Sequence, residues 1–263
     1  MPLTRGTGRG LTMTAVSRRV ARWLTTLILV GLAGCDEGSS SAPTVQASAS
    51  TAAPPPPAPT AVAPEPPRPP DIIVDRSTVA VGRERLAAGD PGLANALVAL
   101  LSVQPAVAGQ TVDVVAMRNA KPSQVEGVVL ALAAVKATGA AVKTETRDGA
   151  TARLPIAFTK SVSDCVTVGW IAKDAAIEVW PAGGGKAKRV IRGLAGPDMT
   201  LGTEAMRAQA EGCSAAEVAI GAEDSMNWGL LFDLGTSALT APGARASAAV
   251  LVGAAVPGRK LAF

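Results

Sequence analysis

Residues 112–146, VDVVAMRNAKPSQVEGVVLALAAVKATGAAVKTET, hold a strand, a helix and a second strand in readable order. Val112 to Met117 is mostly apolar and reads as a central strand. Lys121-Pro122-Ser123 leads into a helix, with Ser123 and Glu126 spaced as a capping box. Val125, Val128, Val129, Leu132 and Val135 supply its apolar face. Gly139 is placed to stop the helix. Val142-Lys143-Thr144-Glu145-Thr146 then reads as an exposed or edge strand.

Upstream, Ile72-Ile73-Val74 is a short strand, Asp75-Arg76-Ser77 a turn, and Val79 and Val81 alternate along a second strand. Asp90-Pro91 marks a helix start, with Leu93, Leu97, Leu100 and Leu101 on one face. Downstream, Asp148-Gly149 turns the chain toward Leu154 to Phe158 as a hairpin. The order is β-β-α-β-α-β.

The same order follows once more. Val166, Val168 and Trp170 alternate, Lys173-Asp174 turns, and Ile177, Val179 and Trp180 continue. Gly183-Gly184-Gly185 reads as a flexible loop; Lys186 follows it, but the Ser/Thr and spacing of a phosphate loop are missing. Asp198 to Glu211 reads as a helix with Leu201, Ala205 and Ala208 on one side and Gly212 at its end. Ala216 to Ala222 reads as a strand. Ser225-Met226-Asn227-Trp228-Gly229 opens a helix with Leu230, Leu231 and Leu234 inward, and Ala248 to Val252 is the last strand. Ser123 and Gly127 match Ser225 and Gly229 at one constant offset, which points to internal duplication. The expected fold class is α+β: two tandem small β-β-α-β-α-β domains, 71–160 and 161–263, able to pair within the chain as a pseudo-dimer.

Composition excludes several chemistries. There is no His and no Tyr, which removes Ser-His-Asp and Cys-His catalysis and His-ligated metals. Cys165 and Cys213 are too few for a four-thiolate site. In an oxidising compartment they would form a disulfide closing a loop of about 50 residues; two free buried thiols are the alternative. No cofactor and no metal are expected. Ser161, Ser163 and Lys160 lack Ser-x-x-Lys spacing, so no nucleophile motif is present. Trp170, Trp180 and Trp228 read as core rather than ligand-stacking residues.

The N-terminus addresses the chain. Arg18, Arg19 and Arg22 precede the apolar run Trp23 to Val30, which has signal-peptide length. Leu32-Ala33-Gly34-Cys35 resembles a bacterial lipobox, which implies cleavage after residue 34 and lipid on Cys35. Met13 offers a second start for the same signal. Ser17-Arg18-Arg19 resembles a twin-arginine motif without its following apolar pair, and Asp36 resembles an inner-membrane retention signal, leaving the choice of membrane open. Residues 1–34 hold five Arg and no acid, so the remaining chain has 20 Lys and Arg against 21 Asp and Glu, a net charge of −1. The basic excess that would suggest nucleic acid leaves with the signal. Residues 35–70 are Ser/Ala-rich and then Pro-rich, the composition of a disordered tether with polyproline II character.

Val112 to Ala116 through Gly139-Ala140-Ala141-Val142, and Glu217 to Asp224 through Trp228-Gly229, resemble the periplasmic domain of the ExbD/TolR biopolymer-transport family. Ala222-Glu223-Asp224 approximates the family's acidic strand ending, whereas Arg118-Asn119-Ala120-Lys121 departs from it. Members carry an N-terminal transmembrane helix with a proton-coupling aspartate; the apolar run here has no acid. The resemblance therefore implies the family's periplasmic behaviour, dimerisation and contact with cell wall or partner proteins, without the proton-driven step. The expected role is a non-enzymatic, lipid-anchored envelope module that binds a protein partner or peptidoglycan. The candidate interaction loops are Asn119, Lys121 and Ser123 in the first copy and Glu223, Asp224 and Asn227 in the second. Glu223 and Asp224, read as strand residues, would face opposite ways and could not form a two-carboxylate site. The competing reading is an envelope hydrolase or small-ligand-binding lipoprotein outside that family.

Overall fold

The computed structural model describes residues 67–104 and 106–262. The signal, Cys35 and nearly all of the tether lie outside these residues. The described part is a mixed α/β fold with four helices and one large mixed sheet.

The chain enters through an antiparallel meander, β1 (Ile72–Val74), β2 (Thr78–Val81) and β3 (Glu84–Ala87). Asp75 fixes the first turn by accepting from the N–H groups of Ser77 (2.7 Å) and Thr78 (2.8 Å). α1 (Leu93–Ser102) leads to β4 (Thr111–Ala116), α2 (Pro122–Ala134) to β5 (Gly139–Glu145), and a hairpin to β6 (Thr151–Ala157). A second meander follows: β7 (Thr167–Ile171), β8 (Ile177–Pro181) and β9 (Lys188–Val190). It is succeeded by α3 (Met199–Gln209), β10 (Glu217–Ala222), α4 (Trp228–Thr240) and β11 (Ala248–Leu251). The strand order is β3-β2-β1-β4-β5-β6-β11-β10-β7-β8-β9. β4 lies parallel between β1 and β5, and β10 lies parallel between β7 and β11. β6 is antiparallel to β5 and parallel to β11, so one strand joins the two stretches.

Several local expectations change. β3 and β9 are additional strands; both are polar and mostly exposed, so no apolar alternation announced them. α1 begins at Leu93, and Asp90 instead holds the preceding turn through the Gly92 N–H (2.7 Å). α2 begins at Pro122, which places Ser123 inside the first turn; its side-chain cap is Gln124, whose Oε1 accepts from Lys121 N–H at 2.8 Å. The chain reverses after α2 at Lys136 (φ 63°), not at Gly139, which opens β5. β5 is interior, flanked by β4 and β6, and mostly buried, not an edge strand.

α3 turns a different face inward. Ala205 is buried as expected, but Leu201 and Ala208 are exposed, and Gly202 and Met206 are buried in their place. A Cβ on Gly202 would stand 2.4 Å from Ile177 Cδ1, so the missing side chain lets α3 settle directly on β8. The Ser123/Ser225 correspondence also fails, since Ser225 lies three residues before α4. The element bounds match at another offset: β4 and β10 (from 111 and 217) and α2 and α4 (from 122 and 228) have equal lengths and are displaced by 106 residues.

The helices cover one face of the sheet. Leu97, Leu101, Val125, Val128, Leu132, Met206, Leu231, Phe232 and Leu234 join the inward residues of the strands in a single core. On the opposite face a smaller core forms around Val168, Trp170, Trp180 and Ala219, closed by Val252 and Leu261 of the last segment. That segment is pinned by Leu261 N–H to Ala182 C=O (2.8 Å) and by Trp180 Nε1–H to Arg259 C=O (3.0 Å). The Gly183–Gly185 stretch serves the same purpose: Gly185 N–H donates to Gly258 C=O at 2.8 Å, where a Cβ on Gly258 would meet Gly185 O at 2.6 Å. Cys165 and Cys213 are joined, with Sγ–Sγ 2.10 Å and Cα–Cα 5.7 Å.

Candidate functional site

The loops after β4 and β10 lie against each other. α4 has free N–H groups in its first turn, as every helix does. Two of them are taken by the β4–α2 loop: Trp228 N–H donates to Ala120 C=O (2.7 Å) and Gly229 N–H to Arg118 C=O (2.9 Å). Arg118 then reaches along α4. Its guanidinium forms a bidentate pair with Asp233 (3.0 and 2.8 Å) and donates to the Gly229 (3.3 Å) and Glu145 (2.9 Å) carbonyls. Gly229 is needed there, because a Cβ would stand 2.9 Å from Arg118 Nε. The hydrogen bonds and charge of Asp233 outweigh partial burial and raise the Arg118 pKa further. Arg147, from the β5–β6 turn, adds a third contact to Asp233 at 2.9 Å.

The reciprocal contact uses the other loop. Asp224 accepts from Ser123 Oγ and pairs with Lys121 Nζ at 3.4 Å, at the N-terminus of α2. Burial pushes the Asp224 pKa up, but these bonds and the Lys121 charge prevail and hold it below the ordinary value. Beside it, Glu126 is raised, first by burial and then by the Asp224 charge. Its carboxylate occupies the space left by Gly253, where a Cβ would come within 2.1 Å of Oε1. A cavity of about 30 Å³ lies between them, closed by Ile220 and Leu231. Deeper in, Trp228 Nε1–H donates to Thr144 Oγ1 (2.8 Å), which donates to Ala116 C=O (3.0 Å).

Of the six loop residues expected from sequence, Lys121, Ser123 and Asp224 meet one another. Asn119, Glu223 and Asn227 are exposed and flank the contact. β10 ends at Ala222, so Glu223 and Asp224 are turn residues rather than strand residues on opposite faces. Arg118, noticed in the sequence only as a departure from a family pattern, is the main connector; Glu126 was noticed only as a capping-box partner of Ser123, and Thr144, Arg147, Asp233 and Gly253 gave no signal. Arg118 and Asp233 are 115 residues apart, so nothing local marks them as partners. Trp170, Trp180 and Trp228 are all buried. Among the described residues, no group of three His, Cys, Asp or Glu is placed to hold a metal ion, and no helix is long and apolar enough to cross a membrane. The arrangement can present a polar surface and fix two helix N-termini. The chain matches no family model, no curated protein and no solved structure.

Proposed function

We propose that this chain is a non-enzymatic, lipid-anchored cell-envelope protein whose folded part is a pair of ExbD/TolR-like domains joined within one chain as a pseudo-dimer. Its role is that of a periplasmic interaction module for a protein partner or peptidoglycan, accessory to a biopolymer-transport or Tol-like system. The observation that carries this reading is the 106-residue displacement relating β4–α2 to β10–α4, in a sheet whose order runs β3-β2-β1-β4-β5 from one edge and β9-β8-β7-β10-β11 from the other. At that displacement Arg118 and Asp224 are equivalent, and each reaches the N-terminus of the other copy's helix. A strand edge that separate subunits would pair is here closed by β6 on β11.

Lipid on Cys35 and the Pro-rich tether would hold this module on the order of 100 Å from the membrane at full extension. Asn119, Glu223 and Asn227 are the exposed residues assigned to partner contact. The test is performed on the full chain in its own cells. Cys35→Ala should abolish incorporation of a labelled fatty acid and release the chain from the membrane fraction. A photo-crosslinker at Asn119 or Glu223 should capture one envelope protein or peptidoglycan, while one at Glu84, on the sheet edge, should not. Unlabelled wild-type chain contradicts the anchor, and equal labelling from all three positions contradicts the site.

A further inference from the structure

We infer that the space between α3, α4 and the adjoining ends of β7 and β10 is a binding site for a neutral, mainly apolar small molecule carrying one hydrogen-bonding group. The cavity measures about 400 Å³, within the range of small-molecule pockets. Met206, Val218 and Ala238 give it apolar walls. Thr167, from β7, and Thr203, from α3, also line it. The hydroxyl of each is buried and has no hydrogen-bond partner among the described residues.

Buried hydroxyls are nearly always paired, because an unpaired one loses its hydration without compensation. Two such groups on the wall of one cavity therefore call for a partner from within it. A hydroxyl both donates and accepts, so an alcohol, phenol or carbonyl group suits either. The charged residues of its lining balance. Arg207 and Arg245 are equal in number to Glu211 and Glu217, so the lining has no formal net charge and favours a neutral ligand. One wall is fixed covalently, since Cys213 lines the cavity and is bonded to Cys165. A second depression of about 430 Å³, between α3 and α4, shares Thr203, Arg207 and Ala241 with it. This site lies apart from the Arg118–Asp233 contact and does not depend on the lipoprotein reading.

The test uses the full chain carrying Cys35→Ala, so that no lipid is attached and no detergent is required. The probes are 1-naphthol and naphthalene, alike in shape and differing by one hydroxyl, titrated by fluorescence. Wild-type residues at the cavity should bind 1-naphthol at least fivefold more tightly than naphthalene. In Thr167→Val/Thr203→Val, which keeps shape and removes both hydroxyls, that ratio should fall below twofold. Ala238→Trp, which fills the cavity, should abolish binding of both probes. If this variant fails to fold, the valine pair still decides, because removing unpaired hydroxyls does not weaken the core. Saturation by neither probe up to its solubility limit would mean that the cavity holds only water. A preference for 1-naphthol that survives the valine pair would equally overturn the proposal.

Discussion

The two ends of the sheet use the same strand pairings but treat their second face differently. In β1 and β4 only alternate residues are buried, and Ile73, Val115 and Met117 stand exposed on the face away from the helices. On that face Asp113 pairs with Lys143 (2.8 Å) and Arg153 (2.9 Å). In β7 and β10 nearly every residue is buried, because the segment from Val252 to Leu261 covers the second face. A sheet face that meets water alternates apolar and polar residues, and one covered on both sides runs apolar throughout. The difference is therefore an effect of one C-terminal segment, and it makes the second stretch depend on long-range contacts that the first lacks.

Truncating the covered face should have the largest effect. Trp180 is fully buried beneath the segment and bonded to it, so Trp180→Ala should cost about 3–5 kcal/mol. Ile73→Ala, on the open face, should cost less than about 1 kcal/mol. Chemical denaturation compares the two, and equal losses would erase the distinction. Next comes the covalent link, which only the second stretch possesses. Cys165→Ala/Cys213→Ala removes a closure between residues 48 apart and should lower stability by about 3 kcal/mol, read as a lower thermal midpoint.

A smaller effect belongs to the contact that ties the two stretches together. Asp233→Asn weakens the charged hydrogen bonds to Arg118 and should cost about 2 kcal/mol. The loss should shrink to the Arg147 share when Arg118→Gln is already present, and the double-mutant cycle isolates the Arg118–Asp233 pair. The smallest effect is the pH response of the open face. The hydrogen bond from Lys143, then the charges of Arg153 and Lys143, hold the Asp113 pKa below its ordinary value despite some burial. A depressed folded-state pKa stabilises above the unfolded-state value near 3.8, and the gain disappears as pH falls from there through the folded value. Asp75, lowered by its bonds from Thr78 and Ser77, titrates with the same sign. Asp113→Asn should therefore lower stability slightly at pH 7, where the gain is fully present, and flatten the stability-versus-pH curve below about pH 4, where variant and wild type converge.

Where one residue's surroundings come from its own neighbours in sequence, the fold was readable. The apolar faces of α2 and α4, the β5–β6 hairpin at Asp148-Gly149 and the β1–β2 turn at Asp75 are of this kind. β3 and β9 escaped notice because edge strands carry charge that resembles loop sequence. The inward face of α3 was misread because hydrophobicity favours Leu201, while close approach favours Gly202, and approach to Ile177 prevails. The candidate site was half legible. Lys121, Ser123 and Asp224 stand out as polar residues after apolar strands, but that Asp224 serves α2 and Arg118 serves α4 depends on partners more than 100 residues away.

Native-state hydrogen exchange on the full chain tests the central claim, that two copies form one sheet through β6 and β11. The claim predicts that amides of β5, β6, β11 and β10 exchange together in the slowest class, opening only with global unfolding. If residues 71–157 and 167–262 exchanged as separate units, with the Ile156 and Ala249 amides faster than both, the intrachain pairing would be contradicted.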